Sequence, residues 1–125
     1  MILETTSSVL AVCRLDPSAT IPTWAQHSPF FSMTKTAGEL SVVCSQSDVP
    51  ADVKVEGGWR CLKVQGPLDF GLTGILASLA TPLAQAGISI FAVSTFDTDY
   101  LLVKQGDIGK AIECLSAAGH EVRSP

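Results

Sequence analysis

A long stretch without a charged side chain, residues 70–96, is the feature that most constrains the fold of this chain. A membrane helix needs about 20 apolar residues in a row. Glycine, serine, threonine and proline interrupt the stretch, however, and its apolar period changes at Gly87. The pattern therefore predicts a buried helix over residues 70–86, then a strand over residues 88–96, and no membrane span.

The predicted helix carries its apolar residues at helical spacing, which puts them on one buried stripe: Leu72, Ile75, Leu76, Leu79, Ala80 and Leu83. Asp69 stands where an N-cap carboxylate would accept a bond from a free amide of the first turn. Gly87 suits the left-handed closing position. We expect Pro82 to kink the helix or to tighten its last turn.

The elements around this helix complete a regular order. Strand 88–96 is almost continuously apolar, which predicts that it is covered on both faces or packed at an interface. The remaining elements of this half are a strand at 60–65, a strand at 100–104 after a tight turn at Asp97-Thr98, a helix at 107–118 and a strand at 120–122. The order β-α-β-β-α-β predicts the α+β, ferredoxin-like fold, with both helices on one face of a four-stranded sheet.

The N-terminal half contains strand patterns without convincing helices. We predict a strand at 9–15, a short helical turn at 22–26, a hairpin of 30–36 with 39–44 around Ala37-Gly38, and an edge strand at 53–56. The polar segment 45–58, with Pro50 and Gly57-Gly58, is the predicted junction. We therefore expect a degenerate copy of the unit at residues 1–58 and a complete unit at residues 59–125.

Composition narrows the possible partners. Charged residues make up 16% and hydrophobic residues 46%, so the chain has more apolar surface than a small monomer easily hides. We expect a homo-oligomer, in the first place a dimer. The net charge of −4 is opposite in sign to that of proteins that bind phosphate backbones, so no nucleic-acid partner is expected.

The four cysteines form no C-x-x-C pair, so we expect reduced packing cysteines and no metal site. Glu4 stands where a signal peptide needs basic residues, which favours a cytoplasmic protein without a targeting segment.

No catalytic constellation is apparent. His27 and His120 have no neighbouring nucleophile or carboxylate in a known motif, and no phosphate-binding or dinucleotide-binding fingerprint is present. We therefore expect a protein that is not an enzyme and needs no cofactor. A small enzyme that uses Asp97, Asp99 or a histidine as general base is the weaker alternative.

Two places have the chemistry to bind a ligand. The free amides at the start of the predicted helix, beside Gly74, are suited to a carboxylate, and close packing of helix and sheet is the alternative role of Gly74. Asp99, in the turn after residue 94, is suited to an ammonium group, and turn chemistry is its alternative role. From the order of the elements we expect the two places to lie at opposite ends of strand 88–96, so that a second copy would have to bring them together.

Three motifs carry a resemblance to a known family: F-F-S-M-T-K-T at 30–36, G-G-W-R at 57–60 and S-T-F-D-T-D-Y-L-L-V at 94–103. Together with residues 73–90, they resemble ACT domains, small ferredoxin-like modules that bind amino acids and regulate metabolic enzymes. The pattern is similar to that of short stand-alone proteins with tandem ACT-like halves, and to that of the cytosolic arginine sensors of animals. Gly71-Leu72-Thr73-Gly74 stands where the wider family has a loop of the type D-x-P-G.

The resemblance implies an amino-acid pocket at an interface between ACT units. It implies that the ligand carboxylate lies at the helix start, that a neighbouring unit contributes further contacts, and that the turn holds the ammonium group or side chain. The implied residues are, in the same order, Thr73, Gly74 and Ile75; Ser89 and Ile90; and Thr95, Phe96 and Asp99.

The leading hypothesis is thus a non-catalytic amino-acid sensor that self-associates and reports to an unknown effector protein. The alternative is an ACT-like structural module that mediates assembly and binds no ligand.

Overall fold

The computed structural model describes residues 1–125 and contains eight strands and two α-helices. The strands are β1 Ile2–Thr5, β2 Leu10–Leu15, β3 Ser32–Lys35, β4 Leu40–Ser45, β5 Lys54–Val64, β6 Phe91–Ser94, β7 Asp99–Lys104 and β8 Glu121–Arg123. The helices are α1 Ile75–Gln85 and α2 Ile108–Ala117. Neither is long and apolar enough to cross a bilayer.

The chain divides into two compact units, and the division falls within β5. The C-terminal unit comprises residues 1–7 and 60–125, and the inserted unit comprises residues 8–59. The predicted boundary after residue 58 lies close to this division, but residues 1–7 group with the C-terminal unit rather than with the N-terminal half. That the inserted unit is a degenerate ACT-like copy stays a prediction.

The C-terminal unit has the predicted α+β order, β5-α1-β6-β7-α2-β8, with one additional strand. Its strands follow the order β6-β7-β5-β1-β8. The additional strand β1 is antiparallel to β5, with Leu3 opposite Val64, and parallel to β8, with Leu3 opposite Val122. It therefore separates the first and last strands of the β-α-β-β-α-β unit.

One apolar core joins the helices of this unit to its sheet. α1 contributes Leu79 and Leu83, and α2 contributes Ala111 and Leu115, all fully buried. They pack against sheet residues at alternating strand positions, namely Leu3, Leu62, Val64, Leu101 and Val103. Since alternate residues of a strand point to the same face, both helices lie on one face of the sheet, as predicted. Each buried leucine contributes about 2 kcal/mol of hydrophobic stabilisation.

The helix α1 is shorter at its start than predicted. Asp69 is not its N-cap, because the Asp69 carboxylate accepts a bond of 2.7 Å from the Gly71 amide and holds the preceding loop. Leu72 and Leu76, expected on the buried stripe, are exposed by 54% and 38%. The end of the helix is as predicted, since the Ala86 amide bonds to the carbonyl oxygen of Pro82 and Gly87 closes it with φ 76°.

The strand β6 covers only part of the predicted range 88–96. Its side chains alternate between half-buried and exposed, and it pairs only with β7. The strand is therefore not covered on both faces within the chain, and its packing at an interface between copies stays a prediction. Ile88 and Ile90 pack against the core from the segment before the strand, which explains the continuous apolar run.

The inserted unit is a sheet in the order β3-β4-β2-β5 without an α-helix. The hairpin of β3 and β4 is confirmed, with Lys35 opposite Leu40. Residues 53–56 were expected to add an edge strand, and residues 54–59 are the first part of the longer strand β5, which pairs with β2 at the end of this unit's strand order. Gly58 lies inside β5 with φ 77°. The core of this unit consists of Ala11, Cys13, Ala25, Leu40, Val42 and Cys44.

Candidate functional site

A cavity of about 320 Å³ in the C-terminal unit brings together the start of α1 and the turn between β6 and β7. It is lined by Leu68, Asp69, Phe70, Leu72, Gly74, Ile75, Leu76 and residues 94–99. The helix start and the turn thus meet within one unit, and the expectation that they lie at opposite ends of the second strand is wrong.

The direction of the chain explains this meeting. In a β-α-β unit the helix runs back along the sheet, so the next strand begins at the far end and finishes level with the start of the helix. The turn after β6 therefore lies at the same edge of the sheet as Gly74. The residues at the other end of β6 are Ser89 and Ile90.

Two contacts hold the turn against the loop that precedes α1, and a third holds it against the sheet. The Leu68 amide donates to the carbonyl oxygen of Asp97 at 2.6 Å. The Thr98 hydroxyl, which is buried, donates to the carbonyl oxygen of Val64 at the end of β5, also at 2.6 Å. The rings of Phe70 and Phe96 meet edge to face, with centroids 4.9 Å apart. These contacts connect the turn to both the sheet and the loop.

The start of α1 offers free backbone donors to this cavity. The first bond of the helix runs from the Ser78 amide to the Gly74 carbonyl oxygen, so the amides of residues 75–77 have no acceptor within the helix. No side chain caps them. They lie at the positive end of the helix dipole, which favours an anion such as a carboxylate.

Gly74 is required here for its backbone conformation. Its φ is 75°, in the left-handed region that residues with a β-carbon rarely adopt. A β-carbon built on Gly74 would meet no atom within 4 Å, so the alternative role in close packing of helix and sheet is not supported. Gly74 turns the chain into α1 and leaves the space beside the first amides open.

Three carboxylates supply negative charge to the cavity. Asp69, Asp97 and Asp99 line the cavity, and no basic residue does. Asp99 is half-buried and accepts a bond of 2.6 Å from the Ser94 hydroxyl, which orients its carboxylate. No group of three or more acidic, histidine or cysteine side chains is arranged to hold a metal ion. The cavity therefore combines donors for an anionic group with acids for a cationic one.

Five of the eight residues expected to bind a ligand line the cavity: Gly74, Ile75, Thr95, Phe96 and Asp99. Thr73 lies between two lining residues without lining the cavity itself, and Ser89 and Ile90 lie apart from it. Eight further lining residues were not among those expected to bind a ligand: Leu68, Asp69, Phe70, Leu72, Leu76, Ser94, Asp97 and Thr98. Of these, Thr98 is the one that the sequence pattern could have identified, because it is a polar residue immediately before a strand with buried residues.

The histidines lie outside this cavity. His27 is exposed and belongs to the inserted unit. His120 contacts the Met1 amino group through Nδ1 at 3.0 Å and the Ser78 carbonyl oxygen through Nε2 at 3.2 Å. Neither histidine is among the residues that line the cavity.

Comparison with known protein families now identifies the chain. A family model of the ACT domain matches residues 54–117. The chain belongs to the ACT-domain family. A second family model, which describes an N-terminal domain, matches residues 9–52, a range within the inserted unit. Most of the range that the ACT model matches, residues 60–117, lies in the C-terminal unit that contains the cavity.

Relatives of this ACT protein include a sensor and a bacterial protein of similar size. Over 94 residues, 69% of this chain, it is 37% identical to the human cytosolic arginine sensor for mTORC1 subunit 1, and it spans only 29% of that sensor's length. A crystal structure of a protein from Agrobacterium tumefaciens is 44% identical, with a TM-score of 0.94, and the match covers 99% of this chain and 92% of the other.

An aspartate kinase from Clostridium acetobutylicum, described as an allosteric enzyme, shares the fold alone. It is 11% identical, with a TM-score of 0.64, and the match covers 91% of this chain and 33% of the kinase.

Proposed function

We propose that this ACT protein is a non-catalytic regulatory protein that binds a free amino acid in the cavity at the start of α1. One observation carries the proposal: the free amides beside Gly74 and the carboxylate of Asp99 line the same cavity. The ligand's carboxylate accepts bonds from the amides, and its cationic groups lie among the acids.

Arginine is the first candidate ligand. Three acids and no base line the cavity, so a ligand with two cationic groups and one carboxylate matches its charge better than a neutral amino acid. The exposed rings of Phe70 and Phe96 add flat apolar surface against which a guanidinium group can stack. The name of the human relative, a cytosolic arginine sensor, supports the same ligand and a cytoplasmic location.

A second copy of the chain then covers the bound ligand. Phe70 and Phe96 are exposed by 74% and 80% at the rim of the cavity, and Leu72 by 54%. A homodimer that buries these side chains gives the ligand an interface position and lets Ser89 and Ile90 of the neighbouring unit contact it. Because the ligand favours the covered form, its binding shifts the association equilibrium, and an effector protein reads the result.

Isothermal titration calorimetry with the twenty amino acids tests the proposal. We expect arginine to bind, and Asp99→Asn to weaken its affinity at least tenfold, since a charge-assisted bond contributes about 1.5–3 kcal/mol. The side-chain amide oxygen of this variant still accepts the bond from Ser94, so the fold of the turn is preserved. Asp52→Asn, at an exposed acid of the inserted unit, is the matched control and leaves the affinity unchanged. Absence of binding by every amino acid would refute the proposal.

A purely structural role in assembly is the second candidate, and the exposed pair Phe70 and Phe96 favours it. It predicts an oligomer whose size and stability are indifferent to amino acids. Light scattering across a range of concentrations distinguishes the two: a sensor changes its association constant on addition of arginine, and a structural module does not. Phe96→Ser weakens assembly in both cases and shows whether this surface is used.

A further inference from the structure

A second cavity, of about 310 Å³, lies in the same unit and shares the turn with the first. It is lined by Lys63, Gly66, Pro67, Thr95, Asp97, Thr98 and Tyr100. Thr95, Asp97 and Thr98 belong to both cavities, whereas Lys63 and Tyr100 belong only to the second. The second cavity has therefore a different charge pattern, with one positive and one negative side chain.

Lys63 is the positive residue, and no acid of the protein forms an ion pair with it. It is half-buried on β5, and its Nζ lies 6.0 Å from the centre of the Tyr100 ring. Glu4 is opposite Lys63 in the register of β1 and β5, yet the two form no ion pair. Lys63 and Asp97 line one cavity without pairing with each other. A half-buried ammonium group in that position favours an anionic ligand group.

The negative residue limits the ligand further. Asp97 is exposed, and its backbone is fixed because its carbonyl oxygen accepts the bond from Leu68. A ligand with only a carboxylate would be attracted by Lys63 and repelled by Asp97. A zwitterion satisfies both, with its carboxylate on Lys63 and its ammonium group on Asp97.

We propose that this cavity is a second ligand site, selective for a small zwitterion such as a neutral α-amino acid. Gly66 and Pro67 line the cavity and have no flexible side chain that could move aside for a large ligand, which favours a ligand with a short side chain. The site is distinct from that of the proposed function, because Lys63 does not line the first cavity and Asp99 does not line the second.

Chemical-shift titration of the labelled protein with L-alanine, propionate and ethylamine is the test. The two latter probes are alanine without its ammonium group and alanine without its carboxylate. We expect alanine to bind saturably, with shifts at the amides of Lys63 and Tyr100, and to bind at least roughly tenfold more tightly than either fragment. No saturable binding, or propionate binding as tightly as alanine, would overturn the proposal.

Variants assign the binding to this cavity. Lys63→Gln is expected to weaken alanine binding roughly tenfold or more, and Lys63→Arg, which keeps the charge, to retain most of it. Lys110→Gln, at an exposed lysine of α2, is the matched control and has no effect. Should Lys63→Gln fold poorly, as judged by its thermal midpoint, Lys63→Met keeps the length of the side chain and removes the same charge. Alanine affinity that survives both changes would refute the site.

Arginine separates this inference from the proposed function. Lys63→Gln should leave arginine binding intact, and Asp99→Asn should leave alanine binding intact. Alanine binding that Lys63→Gln abolishes, in the absence of any amino-acid binding that Asp99→Asn weakens, would remove the proposed function and keep the second site. Amino-acid binding that Asp99→Asn weakens, without alanine binding that depends on Lys63, would do the opposite.

Discussion

Replacement of Thr98 by valine removes one bond that fixes the turn at the proposed ligand site. The Thr98 hydroxyl is 2.6 Å from the Val64 carbonyl oxygen, and the residue is 4% exposed. Valine has nearly the same shape, so the main loss is the hydrogen bond, and the carbonyl group is left without this partner in a buried place. We expect a loss of about 1–3 kcal/mol in the free energy of unfolding, the usual cost of a buried unsatisfied acceptor.

Urea denaturation of Thr98→Val measures this loss, and calorimetry with arginine measures its effect on the site. A loss of 1 kcal/mol corresponds to roughly 3–6 °C in thermal midpoint for a chain of this size. Thr81→Val, at an exposed position of α1, is the matched control and should change the free energy of unfolding by less than about 0.5 kcal/mol. Equal midpoints for the two variants would show that the Thr98 bond does not hold the turn.

Four further substitutions test the backbone and the buried thiol of Cys61. Gly66→Ala should lower the thermal midpoint, because a β-carbon would lie 2.8 Å from the Asp97 carbonyl oxygen, and such overpacking costs about 1–3 kcal/mol; an unchanged midpoint would mean that the turn yields freely. In Gly109→Ala, in α2, the new β-carbon meets no atom within 4 Å, so this variant should raise the free energy of unfolding by about 0.5–1 kcal/mol. Gly74→Ala should lower it by about 1 kcal/mol, because the φ of Gly74 is 75°. Equal effects of the two variants in urea denaturation would contradict this assignment of strain. Burial raises the pKa of the Cys61 thiol from 9.0 to about 12, so the folded state holds this proton more tightly. The resulting stabilisation is complete below pH 9 and is lost as the pH rises towards 12, so the urea midpoint of Cys61→Ala should fall less over this interval than that of the wild type.

Local sequence patterns predicted the helices and strands in which the spacing of apolar residues in the sequence matches the positions that are buried. The helix α2 and the strands β2, β4 and β7 were located within a residue or two, because the apolar residues of each element face the core of its own unit. The start of α1 was not, since Leu72 and Leu76 have the spacing of a buried stripe but line an open cavity. Apolar residues that line a cavity have the same sequence pattern as apolar residues of a core.

Pairings between distant segments left no local signal. The strand β1 has four residues, and it is a strand because Leu3 fits between β5 and β8, both of which are distant in sequence. The same holds for the bond of Thr98 to Val64, which decides how the turn is held. The sequence pattern identified Gly74 and Asp99 as residues with suitable chemistry, whereas their common cavity depends on the direction in which α1 crosses the sheet.

The free amides at the start of α1 and the acids of the cavity belong to one ACT unit. A single copy therefore offers partners for both the carboxylate and the ammonium group of an amino acid. A site shared between copies would lose affinity on dilution, because the ligand's carboxylate and cation would then be held by different chains. In the proposed dimer, dilution removes the cover over Phe70 and Phe96 and the contacts from Ser89 and Ile90 of the neighbouring unit, while the amides and acids of the cavity stay in place. We therefore expect arginine to retain measurable affinity in protein dilute enough to be monomeric, and to bind more tightly at concentrations where the dimer forms. Titration at protein concentrations on both sides of the association constant tests this reasoning, and complete loss of binding in the monomer would contradict it.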